Sequence, residues 1–222
     1  MMWEEMYPEE VESIIFLSGT TIPQNEYWSE ISILSDYPSI KEAKKERRRM
    51  FLITWLGLNR LFPHEETDEV SPGAAIISEE EKALIECCDK RSVTAAVSSE
   101  YLNMDNAERE IMTTVKPTDT PKIYFSNIPT CVEDLIEFHN FVIADYKAEG
   151  KKPAFDPETA AKTEWKKMEW YYKRLSDDDS YFADCVGNCR IVNIGGDHGF
   201  FYLQKPQQVA DHILDFLAAT EE

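Results

Sequence analysis

The chain has 222 residues, of which 43% are hydrophobic and 12% aromatic, enough apolar material for one domain with a core. Its 23 Lys and Arg against 42 Asp and Glu give a formal net charge of −19. Such an acidic chain repels phosphate backbones and anionic lipid, so we expect no nucleic-acid partner and no membrane-surface role. No run approaches the roughly 18 apolar residues of a membrane span.

The N-terminus and the cysteines point to a cytoplasmic protein. Residues 1–8 have neither the basic nor the apolar segment of a signal peptide. The cysteines at 87, 88, 131, 185 and 189 form an odd, scattered set that includes no CxxC pair. This pattern is typical of reduced thiols, so we expect no metal site and no cofactor.

The first predicted strand is the apolar run at 11–17, bounded by Gly19 and Pro23. A short apolar run between turn residues is typical of a buried strand in a parallel sheet. Residues 1–7, which precede it, have the pattern of the last turns of a helix that ends at Pro8.

Residues 24–118 carry helical patterns and are interpreted as a helical insertion of the cap type. Ser78 and Glu81 have the spacing of a capping box, which predicts a helix to about residue 91. The other helices predicted here are at 41–62, 92–102 and 106–113. The basic cluster at 44–49 is interpreted as a solvated helix face.

The remainder of the chain alternates strands and helices. The predicted elements are strands at 120–126 and 190–194 and helices at 131–147, 158–175 and 206–217. Asp156 and Pro157 form a good helix start, and 177–179 is predicted to be a turn. The order predicts an α/β fold with about three parallel strands and flanking helices.

The loop after the last strand presents His198 among Gly195, Gly196 and Gly199. The strand fixes the position of such a histidine and the glycines leave room for substrate, which suits a general base. The other histidines are interpreted as incidental, and they are His64, His139 and His212.

The order of these segments resembles the C-terminal half of an α/β-hydrolase, in particular a bacterial branch with a helical cap. The segments that carry the resemblance are 7–17 (the helix end and strand after the nucleophile elbow), 56–61 and 78–82 (the cap), 120–127 (the penultimate strand) and 196–206 (the histidine loop and last helix). The resemblance covers essentially the whole chain. It implies a partial α/β-hydrolase domain over 1–222, with the cap insertion at about 24–118.

The resemblance also implies a reaction, the hydrolysis of a small-molecule ester or amide by acyl transfer. His198 corresponds to the histidine that takes the proton of a serine nucleophile. The acid that orients this histidine usually follows the penultimate strand, where Glu133 and Asp134 are the candidates. Either carboxylate is equally explained as a charge that favours the dipole of the following helix.

The chain departs from the family at the nucleophile. None of its eight glycines belongs to a Gly-x-Ser-x-Gly elbow, which the family would place just before Met1. We therefore expect a truncated, inactive α/β-hydrolase. The alternative is a non-catalytic binding or interaction protein that reuses the C-terminal half of the fold and self-associates through its open sheet edge.

Overall fold

The computed structural model of the chain describes residues 4, 6–17, 45, 48–49, 52–53, 56, 73–84, 114–196 and 200–220. Its strands are β1 (Ile14–Leu17), β2 (Lys122–Ser126) and β3 (Cys189–Asn193). Its helices after β2 are α1 (Val132–Ala148), α2 (Pro157–Val186), α3 (Phe201–Gln204) and α4 (Pro206–Thr220). The predicted helices at 92–102 and 106–113 and most of the predicted insertion lie outside the described residues.

The three strands form one parallel sheet in the order β1-β2-β3. Lys122 at the start of β2 is in register with Ile14 on one side and with Cys189 on the other. Parallel neighbours require a crossover connection, and α1 and α2 provide it between β2 and β3. The prediction of an α/β fold with three parallel strands and flanking helices is confirmed for this part of the chain.

Helices cover both faces of the sheet at β2, whose five residues are all buried. On one face the buried cluster with α3 and α4 consists of Ile123, Phe125, Ile194, Phe201, Val209 and Phe216. On the other face Tyr124 packs against Phe182 of α2, with 5.5 Å between the ring centroids, and Phe16 of β1 joins them. The alternation of side chains along a strand therefore gives β2 two helical neighbours.

The long helix α2 begins where the sequence predicts a start. The side chain of Asp156 accepts a hydrogen bond from the Thr159 backbone at 2.9 Å, and Pro157 occupies the first helical position. The helix continues to Val186, so the predicted turn at 177–179 is wrong. An apolar stripe continues beyond the three aspartates through Phe182 and Val186, and its burial keeps this polar stretch helical.

The end of α2 is set by Gly187, which has a φ of 70°. A Cβ at this position would lie 2.8 Å from the Thr118 carbonyl oxygen. Only glycine tolerates both the left-handed backbone and this close approach. The chain can therefore turn directly from α2 into β3.

The chain divides into two units. One comprises Met1–Thr21, Val70–Ile77 and Val115–Glu222 and contains the sheet, and the other comprises Ile22–Glu69 and Ser78–Thr114. Within the parts of both units that the structure describes, no helix is long and apolar enough to cross a membrane.

The predicted capping box at Ser78 is confirmed. The Ser78 backbone donates to Glu81 Oε2 at 2.7 Å, and the Glu81 backbone donates to Ser78 Oγ at 3.2 Å. Residues 79–84 are helical, and the structure describes this helix no further. Within the predicted helix at 41–62, the structure describes residues 45, 48, 49, 52 and 53 as helical.

Residues 73–77, inside the predicted insertion, belong to the unit that contains the sheet. The buried carboxylate of Asp145 in α1 accepts hydrogen bonds from the Gly73 backbone at 2.9 Å and from the Ala75 backbone at 2.8 Å. Gly73 has a φ of 79°, and a Cβ there would lie 2.8 Å from the ring of Phe200. This segment is therefore fixed against α1 and the start of α3.

A buried ion pair joins the beginning of β2 to Glu4. Lys122 Nζ lies 2.9 Å from Glu4 Oε1, and the two side chains are 0% and 3% exposed. The ammonium also donates to Thr118 Oγ1 at 2.7 Å and to the Thr120 carbonyl at 2.9 Å. All three of its protons therefore have an acceptor, which a buried charge requires.

Several effects act on the pKa of Glu4. Burial alone raises it, but hydrogen bonds from Thr118, Lys122 and Thr120 and the charge of Lys122 together outweigh burial and hold the pKa below its usual range. The lowered pKa means that the pair stabilises the fold above the ordinary glutamate pKa of about 4.3. This contribution is lost as the pH falls through the lower pKa of the folded protein.

We expect Glu4→Gln to lower the free energy of unfolding by about 3–5 kcal/mol, because it leaves the Lys122 ammonium buried without its counter-ion. The matched control is Glu9→Gln, at an exposed position, which should change the free energy by at most about 0.5 kcal/mol. Urea denaturation at pH 7 measures both. The double variant Glu4→Gln/Lys122→Met should recover most of the loss, and a double variant less stable than Glu4→Gln would contradict this account.

Candidate functional site

The carboxyl ends of β2 and β3 form the edge at which open α/β sheets bind ligands. At this edge, two hydrogen bonds join the last residue of each strand to the start of the loop that follows the other strand. The side-chain amide of Asn193, the last residue of β3, donates to the Ile128 carbonyl at 2.7 Å. The Ile194 backbone donates to the carbonyl of Ser126, the last residue of β2, at 2.8 Å. The loop toward Glu133 therefore starts beside the loop toward His198.

The described start of the loop after β3 has the glycine backbone that the sequence predicts. Gly195 and Gly196 have φ values of 65° and 92°, and the Gly195 backbone donates to Asn193 Oδ1 at 2.9 Å. A Cβ at Gly196 would lie 2.8 Å from Gln204 Oε1. Both positions require glycine because their φ values are positive, and at Gly196 the close packing of α3 adds to this requirement.

Lys205 attaches this loop to α1. Its ammonium donates to the Ile194 carbonyl at 2.7 Å and to Glu137 Oε2 at 2.6 Å. The Lys205 side chain is 13% exposed, which limits competition from water for these two bonds. The beginning of the histidine loop is therefore held by β2, α1 and the residue between α3 and α4.

The predicted base itself, His198, lies outside the described residues, as do Asp197 and Gly199. Gly196 and Phe200, on the two sides of this gap, are described.

The first predicted acid, Asp134, accepts the hydrogen bonds that begin α1. Its Oδ2 accepts from the Thr130 backbone and hydroxyl, both at 2.7 Å, and from the Cys131 backbone at 3.3 Å. Burial raises the pKa of Asp134, but these hydrogen bonds outweigh burial and bring the pKa below its usual value. Asp134 therefore stays ionised at neutral pH and holds the loop after β2 against the helix.

The second predicted acid, Glu133, is exposed in the first turn of α1. A negative charge there favours the helix dipole. The two neighbouring carboxylates thus have different surroundings, since Asp134 is hydrogen-bonded within the loop and Glu133 faces solvent.

A third carboxyl group near this edge, Asp179, was not identified as a site residue from the sequence. Asp179 of α2 is 6% exposed, and its Oδ2 has no hydrogen-bond partner, the one buried side-chain atom of this kind among the described residues. Burial raises its pKa, as does the charge of Asp178, while hydrogen bonds from Ser126 and Tyr124 oppose the rise. The sequence does indicate the burial of Asp179 if the stretch is helical, because Asp179 then lies on the same stripe as Phe182 and Val186. The prediction of a turn at 177–179 hides this pattern.

The part of the chain that the structure describes supports neither a metal site nor catalysis by the Cys189 thiol. No group of three or more His, Cys, Asp or Glu side chains there could hold a metal ion. Burial raises the pKa of Cys189 to about 11 although the nearby Lys122 lowers it. This thiol is therefore protonated at neutral pH and is a poor nucleophile.

Comparisons with known proteins add no family assignment. No family model, no curated protein and no solved structure matches the chain.

We expect Asp134→Ala to lower the free energy of unfolding by about 1–2 kcal/mol at pH 7, because it leaves the donors of Thr130 and Cys131 without their acceptor. Glu133→Ala is the matched control and should change it by at most about 0.5 kcal/mol. Since the pKa of Asp134 is lowered, the difference between wild type and Asp134→Ala should disappear as the pH falls through that lowered pKa. Urea denaturation between pH 7 and pH 3 tests this, and a difference that grows toward pH 3 would contradict it.

Asp179→Asn should have the opposite pH dependence. A raised pKa means that the contribution of Asp179 to stability is complete below about pH 3.9 and is lost as the pH rises through the pKa of the folded protein. The Tm of the variant minus that of the wild type should therefore rise from pH 4 to pH 7. Each kcal/mol of free energy of unfolding corresponds to a few degrees in Tm. The control is Asp184→Asn, at an exposed position of the same helix. A Tm difference between Asp179→Asn and wild type that is independent of pH would refute the raised pKa of Asp179.

Proposed function

We propose that the chain is an α/β-hydrolase-type domain that carries the base and acid positions of an acyl-transfer site but no serine nucleophile of its own. On this proposal it does not hydrolyse esters or amides by itself. The observation that supports it best is the pair of hydrogen bonds, from Asn193 to Ile128 and from Ile194 to Ser126, by which the last residue of each strand contacts the start of the loop after the other strand. One loop leads to Glu133 and Asp134, and the other leads to His198.

The assigned roles follow from the chemistry of acyl transfer. The base, His198, would take a proton from a hydroxyl nucleophile, and an ionised carboxylate would orient the imidazole and stabilise its protonated form. Both loops leave the same edge, so a base on one and an acid on the other are compatible with this arrangement. Without a nucleophile on a Gly-x-Ser-x-Gly turn, the base has no serine to activate.

The surroundings of the two acids support different roles for them. Asp134 is ionised and fixed, which suits an orienting acid, but its Oδ2 already accepts three hydrogen bonds. Glu133 is exposed and can reach a partner only by adopting one of its many rotamers, at a cost in side-chain entropy. Fixed geometry therefore favours Asp134, while Glu133 remains part of the proposal.

The purified chain should hydrolyse p-nitrophenyl acetate and p-nitrophenyl butyrate no faster than the His198→Ala variant does. A fluorophosphonate probe, which labels activated serines, should leave it unlabelled, because no serine lies on a nucleophile elbow. The release of p-nitrophenol and the intact mass after probe treatment are the measurements. Turnover by the wild type that is lost in His198→Ala would overturn the proposed inactivity.

The assignment of the base and acid is tested separately, by a crystal structure that includes His198. The imidazole should lie within hydrogen-bond distance of the Asp134 or Glu133 carboxylate. An imidazole that contacts neither carboxylate and points away from the strand edge would contradict the hydrolase-type site, whatever the esterase result.

A further inference from the structure

A groove of about 540 Å³ lies along the N-terminal half of α2 and the connector before it. Its apolar lining includes Phe155, Ala160 and Met168, and its charged side chains are Asp156, Glu164 and Lys167. This volume falls within the range of about 300–1,000 Å³ that is typical of small-molecule sites. Apolar walls with a few charged groups are also typical of such sites.

The length of α2 places this groove beyond the carboxyl edge of the sheet. The helix has 30 residues and is about 45 Å long, whereas a five-residue strand spans about 17 Å. Val186 lies at the amino edge, where its carbonyl accepts from the Thr118 backbone at 3.1 Å, and Asp179 lies beside Ser126 at the carboxyl edge. The residues that precede Asp179 therefore extend past the strands.

The aromatic wall of the groove is fixed by α1. The ring of Phe155 meets His139 edge-on, with 5.4 Å between centroids and an interplanar angle of 65°, and meets Tyr146 with 6.2 Å and 83°. These contacts hold the ring in place before any ligand binds. Such preorganisation reduces the entropy that binding would otherwise cost.

The carboxylate of Glu164 is also held in place, by donors from two helices. Its Oε2 lies 3.0 Å from His139 Nε2, and its Oε1 accepts a hydrogen bond from the Tyr172 hydroxyl. Each carboxylate oxygen can accept more than one hydrogen bond, so Glu164 retains acceptor capacity. Its side chain is 33% exposed and lines the groove, where a ligand can reach it.

The charges that line the groove favour a cation. Asp156 and Glu164 supply two carboxylates against the single ammonium of Lys167. The face of an aromatic ring such as Phe155 also attracts a cation, most strongly where water is excluded. A ligand that matches this lining has one positive charge and an apolar body.

We propose that this groove binds an organic ammonium ion with an aromatic or aliphatic body. The ammonium group donates to the Glu164 carboxylate, and the apolar body packs against Phe155 and Met168. This binding site is independent of the proposed acyl-transfer function, and it does not require His198, Glu133 or Asp134.

The probe is phenethylammonium, titrated into the full chain by calorimetry at pH 8. Saturable binding with a Kd on the order of 1 mM is expected. Two ligands with the same phenylethyl body are the controls. Neutral 2-phenylethanol should bind about tenfold more weakly, and anionic 3-phenylpropionate should not bind, because only a cation pairs with Glu164. Equal binding of the cation and the anion, or no saturation by about 10 mM phenethylammonium, would overturn the proposal.

Variants locate the site. Glu164→Gln keeps the shape of the side chain but removes its charge, and it should weaken phenethylammonium binding at least about tenfold. Glu169→Gln is the matched control, because Glu169 is exposed on the same helix and lies outside the groove lining, and it should bind as the wild type does. Ala160→Leu should abolish binding by filling the groove while Glu164 remains, which keeps the test valid if Glu164→Gln misfolds. Wild-type affinity in both Glu164→Gln and Ala160→Leu would refute the site.

Discussion

The structure depends on the complete burial of β2. A parallel strand covered on both faces needs apolar side chains of both orientations, and Ile123 and Phe125 on one face and Tyr124 on the other supply them. α4 and α2 pack on these faces, and β1 and β3 take their register from β2. The described sheet therefore forms around five residues, and any polar group at the ends of β2 must be satisfied inside the protein.

The two ends of β2 differ in how completely their buried polar groups are hydrogen-bonded. At the amino end every proton of the Lys122 ammonium has an acceptor, so this charge serves stability. At the carboxyl end Ser126 lies beside Asp179, whose Oδ2 has no partner. The carboxyl end of β2 therefore lies beside a buried carboxyl group that is less completely hydrogen-bonded than the ammonium at the amino end.

The elements that could be predicted from the sequence are those with local signals. The three strands, the capping box at Ser78 and the start of α2 at Asp156 each follow from a short pattern of apolar, turn or capping residues, and the structure confirms them. The end of α2 could not be predicted in this way, because three consecutive aspartates have the local signature of a turn and only tertiary burial of the stripe through Phe182 keeps them helical. The burial of Asp179 could not be predicted for the same reason, since burial of a carboxyl group is a tertiary property. The pairing of Lys122 with Glu4, across more than a hundred residues, has no local signal either.

α1 connects the strand edge to the groove on α2. Glu137 faces Lys205 and the loop toward His198, whereas His139, two residues later, faces Glu164. Positions two apart on a helix are separated by about 200° around its axis, so one helix can contact both neighbours at the same level without either contact displacing the other. Lys205 and Glu164 are thus oriented by successive parts of one rigid element. The position of α1 itself depends on Asp134 at its start and on Asp145 near its end, which makes these two aspartates structural supports of both proposed sites.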